Sequence, residues 1–418
     1  MLASAGRARS RPRDPLSAAA LDDSIRRYDS FGVHRTGSAA DRRTTAWLGE
    51  HLRSLGYRVD ERPFAAELVE VSRAHLQVGD RRVALVPQAP VMLERIDLGA
   101  RLAPIEGGGD LRGAIAYASF PYRRDPGLGG EPYAGLIARA AAGGAAALVA
   151  VTEGPTGEVI LFNTPRDGRP TPLPVLLLAP RDRGVLAAAA TARIEVVAKR
   201  RAATAFNTLA QLDRGGPRLI VSTPQSGWTH CAGERGPGIA LWRALAEVVA
   251  GSSRPVSALF VATSGHEVAH RGLEALLRDE RALFDRPFAA WLHLGANLAT
   301  FDYARDRQPL TLLPAPNPDR GVIASPAALA KVREAFAGVE AMPVGEASRD
   351  GAFGEARSIL AAGFQPVIGL VGSGVYHHVA GDRAGVSTSG ALVRPLALAL
   401  ARLCDDLTRP PDLGGQPR

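Results

Sequence analysis

The stretch Val256–His270, VSALFVATSGHEVAH, constrains the fold more than any other, because a β-branched apolar run stops at small residues and then sets His266 beside Glu267. A run apolar along its whole length suits a strand covered on both faces, the habit of parallel sheets. In an open α/β sheet ligands bind beyond the carboxyl ends of such strands, so an imidazole and a carboxylate stand where chemistry is expected. Three other apolar runs end in polar groups. RLIVSTP leads through Ser226 and Trp228 to Cys231 and Glu234, FAAWLHLGAN carries His293 and Asn297, and PVIGLVGSGVYHH ends in His377 and His378. Six of the nine histidines fall between residues 230 and 378, which points to a metal or proton-transfer site rather than a solvated surface.

The texture of the chain predicts five stretches. Residues 1–20 are Arg-rich and read as a disordered terminus. Residues 21–68 read as helical around Trp47, Leu48, Leu52 and Leu55, turning into a strand at GYRVDERPF. Residues 69–198 break into short β-like runs punctuated by Gly and Pro, with one helix at YAGLIARAAAGG, and read as an inserted β-rich module. Residues 199–405 alternate strand and helix, which predicts an α/β domain with a mostly parallel sheet flanked by helices. Residues 406–418, ending PPDLGGQPR, read as a disordered tail.

A length of 418 residues and 46% hydrophobic content support a large buried core. The formal charge of +8 rests almost wholly on arginines dispersed among acids, since Lys199 and Lys331 are the only lysines. That dispersion argues against nucleic acid as a partner. Cys231 and Cys404 are far apart and offer neither a disulfide framework nor a thiolate zinc site. No run approaches the eighteen or so apolar residues of a membrane span, and no signal-peptide core is visible, so a cytoplasmic location is the expectation.

The order of HRTGS, GAIAYASF, AGLIARAAAGGAAALVAVTE, FNTLAQL, RLIVST, SGHE and YHHVAGD resembles the zinc exopeptidase family of bacterial leucyl aminopeptidases that carry an inserted protease-associated domain. Glutaminyl cyclases share that catalytic fold. The resemblance runs from about His34 to Asp382 and implies hydrolysis of an amide or peptide bond. In that family two zinc ions share a bridging aspartate, and a glutamate just before a liganding glutamate is the general base. The family's HxD falls on Pro224 and Ser226, its bridging aspartate on Glu234, its Glu-Glu pair on His266 and Glu267, and its later aspartate near Gly295. Its terminal histidine falls on His377 or, by spacing to Asp382, on His378.

The resemblance therefore implies that one zinc has lost its private ligands while Glu234, Glu267 and His378 remain to hold a single ion, with a fourth position open to water. His293, two residues before Gly295, offers a substitute ligand. His266 stands at the base position, and Arg235 or Tyr376 is the candidate for steadying an oxyanion. The expected substrate is a peptide or small amide. Each residue has a plainer role as well. Glu267 suits an ion pair with Arg235 or Arg271, Glu234 suits the start of the helix that Pro237 announces, and His266 suits a buried helix cap. Two other functions stay open: a scaffold that has abandoned catalysis and binds a peptide, and a hydrolase built on Cys231 and a histidine.

Overall fold

The computed structural model describes residues 14–123, 126–304, 309–349 and 351–409. A mixed 14-stranded sheet runs through the molecule, flanked by helices. At its centre the strands Val367–Gly372, Ala290–Leu294, Arg218–Pro224 and Ser257–Thr263 lie side by side and parallel, with Leu370 beside Leu294, His293 beside Ser222, and Thr263 beside Pro224. Alternation explains why these runs are apolar throughout. Leu219, Val221, Phe260, Leu292 and Leu294 face the helices Ala18–Asp29, Gly236–Ala250 and Gly390–Leu407, while Ile220, Leu259, Val261 and Trp291 face Arg271–Asp279 and Gly354–Ala361.

The sheet is less uniformly parallel than the sequence suggests. Thr191–Leu212 joins Ser257–Thr263 in antiparallel register, and Arg320–Ala324 does the same with Val367–Gly372. Both additions lie outside the four central strands, so the crevice at their carboxyl ends is preserved.

Two long strands, Arg58–Val78 and Thr191–Leu212, pair antiparallel and carry the chain from the central sheet into residues 69–198 and back. Two separate apolar clusters sit there, one around Phe120, Tyr133 and Phe162, the other around Leu76, Ile115 and Ile194. The strands Ile115–Phe120, Ala147–Thr152 and Val175–Leu178 run parallel, with the helix Tyr133–Ala142 packed against them.

The first helix begins at Ala18, capped by the Ser17 hydroxyl, within the stretch read as a disordered terminus. Its Leu21, Ile25 and Tyr28 are buried against the helix Gly236–Ala250, so tertiary packing rather than local sequence fixes that end. At the other end the helix Gly390–Leu407 extends past residue 406, and the expected disorder of 1–13 and 410–418 lies outside the described residues. No described helix is long and apolar enough to cross a membrane.

Candidate metal centre and active-site cavity

Four loops leave the carboxyl ends of the central strands and converge. The first passes through Ser226 and Cys231 to Glu234 and opens the helix Gly236–Ala250, with Pro237 in its first turn, where a negative charge is favoured. Asp382, from the last of these loops, accepts hydrogen bonds from the Gly233 and Glu234 amides at 2.6 and 3.0 Å and pins that helix start.

Glu234, His377 and His378 form the group that the geometry supplies for a cation, with one ligand atom of each lying within 4.8 Å of the others. Glu234 Oε1 is 3.3 Å from His378 Nε2 and 3.6 Å from His377 Nε2. His378 is locked in orientation: its Nδ1 lies 2.7 Å from the Leu161 carbonyl, and its own carbonyl accepts from the Leu161 amide at 3.0 Å. A carbonyl accepts only from N–H, so Nδ1 carries the hydrogen and a neutral ring turns the bare Nε2 lone pair towards a carboxylate. Two acceptors facing each other need a proton or a cation between them. A second nitrogen bonded to a backbone carbonyl is also the arrangement metal-ligating histidines adopt.

Arg235 complicates that charge balance. Its side chain is fully buried, its Nε donates to the Ser226 carbonyl at 2.8 Å, and its Nη2 lies 2.8 Å from Glu234 Oε1. Burial alone would raise the Glu234 pKa, but the Arg235 guanidinium, followed by His378, holds it well below the usual carboxylate range. The contact is one of charge rather than aligned hydrogen bonding, because both Glu234 oxygens and both terminal nitrogens of Arg235 are buried without a hydrogen-bond partner. Orphaned buried polar atoms of this kind call for a further occupant. One carboxylate and two imidazoles are a chemically suitable donor set for a zinc-type ion. The residues present therefore fit such an ion, while the adjacent guanidinium works against its charge.

Glu267 is placed elsewhere. Its carboxylate accepts from the Thr36 amide and hydroxyl at 2.9 and 2.6 Å and from the Ser226 hydroxyl at 2.7 Å, and Ser226 is itself held by the Gly265 amide at 2.8 Å. Three neutral donors satisfy the buried charge, so no cation partner is required. Of the expected set of Glu234, Glu267 and His378, the fold groups Glu234 and His378 with His377 among the described residues and leaves Glu267 outside that group. Ser226, at the position the resemblance gives to an aspartate, now holds the glutamate as a hydroxyl donor.

His266 opens on a cavity of about 100 Å³ whose walls include His293, Glu355, His377 and Asn163. Its Nδ1 is 3.2 Å from Glu355 Oε1, and Thr263 donates to the other Glu355 oxygen at 2.8 Å. Burial, followed by the Arg235 charge, drives the His266 pKa well below its ordinary value, so the ring is neutral. His270 stacks on it, ring centres 4.7 Å apart, and meets the Ser358 hydroxyl at 3.2 Å. Glu355 escaped the sequence reading because an acid in the first turn of a helix reads as solvated and dipole-stabilised; here it is fully buried.

His293 lies in the same cavity but outside the carboxylate–imidazole group. The Ser222 hydroxyl accepts from Trp291 Nε1 at 2.8 Å and lies 3.0 Å from His293 Nδ1, which fixes the ring in place. Burial lowers the His293 pKa to about 4, so the ring is neutral. The expected ligand is instead a neutral imidazole held by Ser222, outside the group of Glu234, His377 and His378. Tyr376 lines an adjoining crevice with Asn297, Thr300 and His377 and packs on Tyr303 at 5.4 Å. Arg235, expected as an oxyanion donor, spends its charge on Glu234. Cys231 is fully buried with its thiol pKa pushed well up by burial, which suits packing rather than nucleophilic attack.

No protein-family profile matches the chain, and no curated relative matches it. Solved structures do. A zinc aminopeptidase from Bacillus subtilis superposes with a TM-score of 0.71 at 14% identity, covering 96% of this chain and 97% of its own. A peptidase M28 precursor from Shewanella amazonensis gives 0.71 at 16% identity, with 97% and 99% covered. An aminopeptidase from Aneurinibacillus sp. strain AM-1 gives 0.66 at 16% identity, with 97% of each chain covered. At these identities the likeness is one of fold, and over nearly its whole length this chain has the fold of those three proteins.

Proposed function

We propose that the protein hydrolyses an amide or peptide bond in the cavity between the Glu234–His377–His378 group and the His266–Glu355 pair. The observation that carries this reading is that His377, a member of the first group, also lines the cavity on which His266 opens. Zinc, one ion held by Glu234, His377 and His378, would supply Lewis acidity towards a carbonyl. The chain's own residues supply the rest. Glu355 orients His266 through Nδ1 and leaves Nε2 free to take a proton, with the carboxylate beside the imidazolium that results. In the tautomer with its hydrogen on Nε2, the neutral His293 ring would offer a donor for charge developing on the substrate oxygen. Asn163 adds an amide to the wall. The zinc aminopeptidases of the same fold support a peptide or small amide as substrate.

A second reading is favoured by Arg235 and Glu267: the guanidinium already compensates Glu234, and hydroxyl donors already satisfy Glu267. On that reading the cavity binds a peptide without cutting it. Metal analysis of the purified protein, with turnover of a panel of aminoacyl anilides and short peptides, separates the two. About one zinc per chain and turnover lost in Glu234→Gln support the hydrolase. A metal-free wild type that cleaves nothing in the presence of added zinc removes it.

A further inference from the structure

Beside the active-site cavity lies a second one, of about 120 Å³, between the inserted stretch and the central sheet. Its walls are mainly apolar, drawn from Leu68, Val86, Val91, Phe162 and Trp228, and its polar end is Arg35. The Arg35 Nε is buried without a hydrogen-bond partner, while the residue as a whole is half-buried and feels the Glu267 charge. Two carboxylates also line the cavity, and both are committed: Glu267 to Thr36 and Ser226, and Glu67 to Arg200 at 3.4 Å. Arg271 adds a second guanidinium at the exposed rim. A half-buried guanidinium whose Nε lacks an acceptor, set against an apolar chamber, is complementary to one planar anionic group on a short apolar body. An engineered cavity of about 150 Å³ holds benzene, so this one suits a body of roughly five or six carbons.

We infer that this cavity is a binding site for a short apolar carboxylate, with the carboxylate on Arg35 and the hydrocarbon against Trp228 and Phe162. The site is distinct from the proposed active site, since a wall one chain segment thick separates them. In the segment Leu161–Thr164, Leu161, Phe162 and Thr164 face this cavity while Asn163 lines the other, and Asn163 Oδ1 accepts from Trp228 Nε1 at 3.0 Å. The same segment bonds to His378 through Leu161 and to the Glu267 carbonyl through the Thr164 amide at 3.0 Å. Occupancy therefore bears directly on the backbone that orients His378.

The test titrates hexanoate, hexanol and hexylamine into the full chain by calorimetry and tryptophan fluorescence, with and without a chelator so that carboxylate binding to a metal does not count. Hexanoate should bind at least tenfold tighter than hexanol with the chelator present, and Arg35→Gln should bring the two within twofold. Trp228→Phe should abolish the fluorescence response but keep the binding heat, and Val91→Phe, which fills the chamber, should weaken hexanoate at least tenfold. Equal binding of hexanol, tighter binding of hexylamine, absence of saturable hexanoate binding, or loss of it in chelator overturns the inference. So does a fluorescence response that survives Trp228→Phe. The wild-type series decides the ligand chemistry even where a variant fails to fold.

Discussion

Arg235 decides the character of the candidate metal centre, because a buried guanidinium cannot shed its proton and must be matched by charge. Breaking a buried pair leaves one charge uncompensated, so Arg235→Met should lose about 3–5 kcal/mol in urea denaturation with chelator present. Zinc should recover part of that loss, since a cation held by Glu234, His377 and His378 supplies the missing charge; a variant that zinc does not stabilise argues that no ion binds there. His34 permits a prediction about pH. It stacks on Tyr28 at 3.8 Å with both ring nitrogens buried and unpartnered, and burial, with help from His230, lowers its pKa to about 3. The unfolded chain takes up that proton near pH 6.5 and the folded one does not. Stability from this residue is therefore complete above pH 6.5 and falls as the pH drops towards 3, by about 2 kcal/mol at pH 5. Urea midpoints at pH 7.5 and 5 should show the loss, and His34→Phe should reduce it.

At the scale of elements, helix starts are held against strand ends with no room to spare. A Cβ on Gly272 would lie 2.1 Å from the Ser264 carbonyl oxygen, in the turn that presents His266 and Glu267, and 2.4 Å from Asn207 Oδ1, which braces that turn from the strand Thr191–Leu212 by accepting from the Ser264 amide. Gly272→Ala should therefore cost on the order of 1–3 kcal/mol in thermal unfolding. A melt unchanged by the substitution would show that the helix Arg271–Asp279 can shift. Elements with a clear period were legible in sequence: the helices Tyr133–Ala142 and Gly390–Leu407, and the four apolar strands, follow from composition and spacing alone. The strand Arg320–Ala324 was not, because its side chains alternate between buried and half-buried without an uninterrupted apolar run. Nor was the turn at Ser226, whose hydroxyl answers a glutamate 41 residues away.

The whole molecule joins its two parts through the strand pair Arg58–Val78 and Thr191–Leu212, in which Val71 lies opposite Ala198. A short turn between those positions would excise the inserted stretch and leave the two apolar clusters of the central sheet intact. The shortened chain should retain its helical circular dichroism and bind zinc about 10–100-fold more weakly, because the Leu161 carbonyl that fixes the His378 ring is gone. Calorimetric affinity equal to that of the full chain would place the insert outside the metal centre.

What the sequence determined by itself was the central sheet and the edge at which the polar residues gather, because apolar runs covered on both faces can pack in few ways and always deliver their ends to one crevice. Which polar groups meet there was decided only by the tertiary structure. Thr36 reaches Glu267 across 231 positions, Leu161 orients His378 across 217, and Glu355 meets His266 across 89. A side chain's role depends on the donors and charges that folding brings within about 3 Å, and neither spacing nor composition records those neighbours.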